Sequence, residues 1–207
     1  MEMFYNRLAE LKIVPVVVIE EAQNAGKLGD ALCSGGLPVA EVTFRTAAAA
    51  ESIRILSDRG DITVGAGTVL TAAQAKQAID NGAQFIVSPG FCRSVVEYCV
   101  ENRIPVLPGI CTPTEICYAL EYGLEVVKFF PASAYGGLKT LKALSAAFSS
   151  FRFVPTGGID ASNIQEYLSF KKVLACGGSW MVKTDLISSQ SFDKIRELTA
   201  EAVALVK

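Results

Sequence analysis

Lys128 stands in the run Val126-Val127-Lys128-Phe129-Phe130-Pro131, one charge among apolar residues with a proline closing the run. The run is too short for a helix and reads as a buried strand. Burying a charge is costly unless it is paired or neutralised. The lysine fits two settings. In one it sits at the strand's edge, with its stem on apolar surface and its head in water. In the other it is a buried amine which, when neutral, attacks a carbonyl carbon. A second group with chemical potential is Glu41-Val42-Thr43-Phe44-Arg45. A carboxylate there can move protons, and a guanidinium fork can bind both oxygens of another carboxylate. A third is the pair Thr156-Gly157-Gly158 and Gly177-Gly178-Ser179. Glycines let backbone N–H groups come close to an anion, although each pair alone also fits a simple turn.

Composition narrows the chemistry further. The 207 residues contain no histidine, which removes Ser-His and Cys-His nucleophile pairs. The cysteines Cys33, Cys92, Cys99, Cys111, Cys117 and Cys176 form no C-x-x-C, so common zinc sites are not expected, and reduced, mostly buried thiols are. Acid-base work near neutral pH falls to carboxylate, lysine, tyrosine, cysteine or water. Nineteen basic residues against 21 acidic, with no basic cluster longer than two, argue against a nucleic-acid surface. The longest apolar runs, such as Ile13 to Ile19, are too short to span a bilayer. The start Met1-Glu2-Met3-Phe4 lacks a basic segment before an apolar core, so no signal peptide is expected and the location is expected to be cytoplasmic.

The elements that must hold these residues recur along the chain. Apolar strand-like runs are Val14–Ile19, Val39–Phe44, Ile62–Gly65, Gln84–Ser88, Ile104–Leu107, Val126–Phe130, Phe153–Thr156 and Val173–Cys176. Their centres lie roughly 20 to 27 residues apart, the repeat of strand, loop, helix and loop. A helix is expected over about Phe4 to Leu11, before the first strand. Thr71-Ala72-Ala73-Gln74 and Thr112-Pro113-Thr114-Glu115 are capping boxes, stopped by Asn81-Gly82 and Gly123. Ile116, Ala119 and Leu120 make one apolar helix face, and Ile195, Leu198, Ala202 and Leu205 another. No linker or low-complexity tract splits the chain, so residues 1–207 read as a single domain. Eight strands alternating with about eight helices predict a small, compact (β/α)8 TIM barrel with a short N-terminal helix. An open doubly wound sheet is the alternative, but no G-x-G-x-x-G follows the first strand.

In such a barrel the functional residues gather at the C-terminal ends of the strands, and phosphate sits after strands seven and eight. Both glycine pairs fall there. Alternation puts Glu41, Thr43 and Arg45 on one face and Val126, Lys128 and Phe130 on another. Strands two and six are both even-numbered and contribute to one barrel layer, so Glu41 and Lys128 can meet inside. A buried structural ion pair explains the same arrangement.

Several segments together resemble the bacterial 2-keto-3-deoxy-6-phosphogluconate (KDPG) and 4-hydroxy-2-oxoglutarate (KHG) aldolase family, of class I. They are Glu41-Val42-Thr43-Phe44-Arg45, Gly65-Ala66-Gly67-Thr68-Val69, Ser88-Pro89-Gly90, Pro108-Gly109-Ile110, Lys128-Phe129-Phe130-Pro131-Ala132, Pro155-Thr156-Gly157-Gly158-Ile159 and Gly177-Gly178-Ser179-Trp180. The likeness runs from the first strand to the last helix. It implies Lys128 as the Schiff-base lysine and Glu41 as the proton-shuttling base. Arg45 and Thr68 match the positions that hold the pyruvyl carboxylate, and Pro89 and Phe130 match pocket walls. Gly157, Gly158, Gly178 and Ser179 match the phosphate loops. The resemblance further implies a homotrimer with no cofactor and no metal. Some relatives carry an arginine at the end of strand one, where this chain has Val18 and Ile19, so anion binding is expected to lean on Arg45 and the glycine loops. Two other functions stay open: a different phosphate-binding barrel enzyme, such as an isomerase or the related galactonate aldolase, and a non-catalytic sugar-phosphate sensor.

Overall fold

The computed structural model describes all residues, 1–207. The first helix, α1 (Glu2–Leu11), precedes β1 (Ile13–Val17). The alternation that follows is α2 (Ala25–Ser34), β2 (Val39–Thr43), α3 (Ala49–Ser57), β3 (Thr63–Gly67), α4 (Ala72–Asp80), β4 (Phe85–Val87) and α5 (Arg93–Glu101). Two very short strands come next, β5 (Val106–Leu107) and β6 (Gly109–Ile110), then α6 (Pro113–Glu121), β7 (Val126–Phe129), α7 (Gly137–Ala147) and β8 (Arg152–Pro155). The chain ends with α8 (Ile164–Leu168), β9 (Cys176–Gly178), α9 (Thr184–Ser188) and α10 (Phe192–Val206). No helix is long and apolar enough to cross a membrane.

All strand pairs are parallel, as apolar runs covered by helices require. They form a six-stranded sheet in the order β5-β4-β3-β2-β1-β9 and a three-stranded sheet in the order β6-β7-β8. The expected closed eight-stranded barrel is therefore met only in part. The α/β class and the parallel order hold, but the ladder is not continuous. At one junction the predicted fifth strand is divided at Pro108, which has no N–H to donate to a neighbour. At the other, only two isolated bridges join the β8 and β9 regions, Phe153–Val173 and Thr156–Gly177. One cluster of 59 buried apolar residues draws on both sheets and on the covering helices.

Side-chain caps hold the N-termini of two helices, α4 and α6. Thr112 Oγ1 accepts from Glu115 N–H while the Glu115 carboxylate accepts from Thr112 N–H, a complete capping box with Pro113 at the first position. Thr71 caps α4 the same way through Gln74 N–H, but the Gln74 amide oxygen accepts from Leu70 N–H instead of closing the box. Two predicted faces are rotated. On α6, Ile116 and Ala119 are buried but Leu120 is 48% exposed, because it falls on the flank of a narrow stripe. On α10 the buried stripe is Ile195, Thr199, Ala202 and Val206, with Leu198 and Leu205 only partly covered. Thr199 can turn inward because its hydroxyl donates to the Ile195 carbonyl one turn back. The eighth strand starts three residues later than expected, so Gly177 and Gly178 lie within it and pair with Val14 and Pro15.

Candidate active site

Glu41 and Lys128 come together in the interior. Glu41 lies at the middle of β2, whose five residues are all buried, in register with Val16 of β1 and Gly65 of β3. Lys128 lies in β7, in register with Gly109 and Val154. Lys128 Nζ donates to Glu41 Oε1 at 3.3 Å, and the two side chains are only 6% and 4% exposed. The lysine therefore does not reach water along an apolar edge. The ammonium position also lies 5.1 Å from the centre of the Phe130 ring, which shares its strand face as alternation requires.

Gly67 makes room for this pair. A Cβ at that position would lie 2.2 Å from Glu41 Oε1 and 2.6 Å from its Cγ. No side chain fits there while the carboxylate faces Lys128. The next residue, Thr68, holds φ at 54°, a left-handed conformation that is strained for a β-branched side chain. Its hydroxyl accepts from Arg45 Nε at 3.3 Å. Arg45 is exposed and has no carboxylate partner among the ion pairs of the chain.

Arg45 and Phe130 open onto a cleft of about 240 Å³, together with Gly157, Gly158, Gly178 and Ser179. Six of the ten predicted site residues thus surround one cavity. Lys128, Glu41 and Thr68 are joined to it through their contacts with Phe130 and Arg45. Pro89 is not part of the lining. Its carbonyl oxygen backs onto Gly109, where a Cβ would lie 2.2 Å away. Gly157 has φ of 98° and Gly158 of 74°, conformations that side chains avoid, and these turn the chain over the cleft. Val18 also lines the cleft.

Sequence reasoning missed two contributors. Thr156, at the end of β8, is 6% exposed and lines the cleft, and its hydroxyl has no hydrogen-bond partner. An orphaned buried hydroxyl beside a cavity is a group waiting for an acceptor or donor. Its signal was available, since Thr156 opens the first glycine pair. Gly67 is the other, visible in the motif but with no role until Glu41 was seen against it. All six cysteines are unpaired, and no group of acidic residues and cysteines is arranged to hold a metal ion.

The family described as KDPG and KHG aldolase matches residues 4–198. The chain belongs to this aldolase family. A 2-dehydro-3-deoxy-phosphogluconate aldolase of Treponema pallidum is 46% identical over 203 residues, covering 98% of this chain and 97% of that one. The KHG/KDPG aldolase of Escherichia coli K12 is 43% identical, covering 92% and 90%. A solved KDPG aldolase from Legionella pneumophila is 39% identical with a TM-score of 0.89, covering 92% and 93%. That structure holds pyruvate captured as a covalent carbinolamine. Within an aldolase family, a buried amine facing a carboxylate beside a glycine-lined cleft has an evident chemical use.

Proposed function

We propose that this chain is a class I aldolase, a lyase that cleaves KDPG to pyruvate and glyceraldehyde 3-phosphate, and KHG to pyruvate and glyoxylate. The observation that carries the proposal is the buried 3.3 Å contact between Lys128 Nζ and Glu41 Oε1. Both side chains are buried, so a proton leaving one has the other as its nearest acceptor.

The neutral amine of Lys128 attacks the C2 ketone of the substrate. Glu41 carries protons while the carbinolamine loses water and an iminium forms. The iminium draws the electron pair of the C3–C4 bond as that bond breaks. The 4-hydroxyl proton is removed and the aldehyde leaves. The resulting enamine is protonated at C3, and water releases pyruvate and restores the amine. Arg45 and Thr68 hold the substrate carboxylate, which fits the free guanidinium fork and explains why strain is tolerated at Thr68. Phe130 forms a wall of the pocket, whereas Pro89 packs its backbone against Gly109 outside the lining. Backbone N–H groups of Gly157, Gly158 and Gly178 and the hydroxyl of Ser179 take the phosphate, with no lysine among the cleft residues to share the task. We further propose that the two sheets act as one eight-stranded barrel, that residues 1–207 form one domain, and that the enzyme works in the cytoplasm as a homotrimer. The exposed side chains of Leu70, Tyr118, Leu120 and Tyr135 supply apolar surface for association.

The test is borohydride reduction in the presence of pyruvate, followed by mass mapping. Reduction should add the pyruvyl mass to the peptide carrying Lys128. An adduct on another lysine, or none, would remove Lys128 from the role. A lactate-dehydrogenase-coupled assay on KDPG, on its galactonate epimer and on KHG then ranks the substrates. Tight binding of all three without pyruvate release would mark a sensor instead.

A further inference from the structure

A cavity of about 440 Å³ lies at the opposite end of the strands from the proposed catalytic site. Lys12, just before β1, and Arg152, the first residue of β8, line it. From Lys12 to Val18 in the catalytic cleft is about 20 Å of extended chain, so the two cavities are separate. Lys171 adds a third cation, and no aspartate or glutamate lines the cavity. Leu168 and Leu205 are among the six apolar residues that face it.

These charges are mostly uncompensated. Of the three, Arg152 alone has a carboxylate partner, Glu125 at 4.0 Å, and that residue is 72% exposed. Lys12 Nζ donates to the Val206 carbonyl at 2.5 Å, which fixes the ammonium at the cavity without neutralising it. Arg152 is held on its other side by the Tyr5 ring, 5.7 Å from the guanidinium carbon. Two cations are thus held in place, a third lines the same cavity, and six apolar residues share the lining. In a chain of net charge −2 this concentration of one sign in one concavity is not a property of the surface at large.

We infer that this cavity is a second binding site, for an organic anion with an apolar body, such as a carboxylate or sulfonate on a hydrocarbon chain or ring. The head group pairs with Lys12, Lys171 and Arg152, and the body covers Leu168 and Leu205. The site is distinct from the aldol chemistry and does not depend on it.

Anilinonaphthalene sulfonate, an anion of this class whose fluorescence rises in apolar surroundings, is the probe. One probe should bind per chain, decanoate should displace it, and added salt should weaken it. Lys171→Glu should lower the affinity about tenfold while leaving pyruvate release unchanged. Lys139→Glu, the same charge change on α7, should leave the affinity as it was. Equal affinity in the Lys171→Glu protein, an equal loss in both variants, or no binding of the probe would each overturn the assignment.

Discussion

Glu41 and Lys128 illustrate how little a single buried charge says until its partner is known. Taking one charge out of water costs several kcal/mol, and a paired charge recovers much of that only in good geometry. Glu41→Gln removes the proposed proton carrier but keeps the shape. Pyruvate release should fall about 10²- to 10⁴-fold, with borohydride trapping slowed but still directed to Lys128. Turnover close to the parent value would show that Glu41 does not shuttle protons. Gly67→Ala places a methyl within 2.2 Å of Glu41 Oε1, so the carboxylate must swing away from Lys128. Turnover should drop about a hundredfold, and overpacking should cost about 1–3 kcal/mol of stability by urea titration. Retained turnover in a less stable protein would limit Gly67 to packing. Burial pushes the thiols of Cys99 and Cys176 up to about 12, so they stay protonated and unreactive near neutral pH. Iodoacetamide at neutral pH should label the exposed Cys117 and spare Cys99 and Cys176 until urea unfolds the chain. The same shift stabilises the folded state fully below the ordinary thiol pKa, and that contribution is lost as pH rises toward 12.

Among the elements, α6 has the most complete local specification. Its cap, its first-turn proline and its reciprocal glutamate are all in the sequence, and all three act as expected. Thr112→Ala removes one acceptor for an N–H that otherwise has no partner in the helix. The loss should be about 1 kcal/mol in thermal or urea unfolding, with pyruvate release unaffected. A neutral effect would mean that water replaces the cap at no cost. The predicted fifth strand shows the limit of such local rules. Its apolar residues mark a strand, but Pro108 interrupts the ladder, and the glycine after it lies directly against the Pro89 carbonyl. The rotated face of α10 has a similar origin. Leu198 is more apolar than Thr199, yet the threonine is buried, because its hydroxyl is satisfied within its own helix.

For the whole molecule, the shared core argues that the two sheets melt together. Unfolding followed by far-ultraviolet and near-ultraviolet circular dichroism should give coincident transitions. Two separated transitions would mean that the sheets are independent units. The proposed trimer is tested by light scattering after size-exclusion chromatography, where three times the chain mass is the expected result and a monomer mass would refute it. Both ends of the strand array carry cavities, one lined by glycine loops and one by lysine and arginine. The proposed catalytic cleft and the charged concavity thus lie at opposite ends of the strands.

The sequence by itself determined the alternation of strands and helices, the parallel apolar runs, the helix caps and the motifs that carry the family likeness. These depend on neighbours within a few residues, where periodicity and turn chemistry act directly. It also singled out Lys128 and Glu41, since a charge in an apolar strand is conspicuous. Only the tertiary structure decided that these two residues, 87 positions apart, share one hydrogen bond. It alone gave Gly67 its role, left the Thr156 hydroxyl without a partner and gathered the basic residues into a cavity. Such features depend on contacts between distant elements, and the distance between side chains from separate strands is set by packing, which no local pattern records.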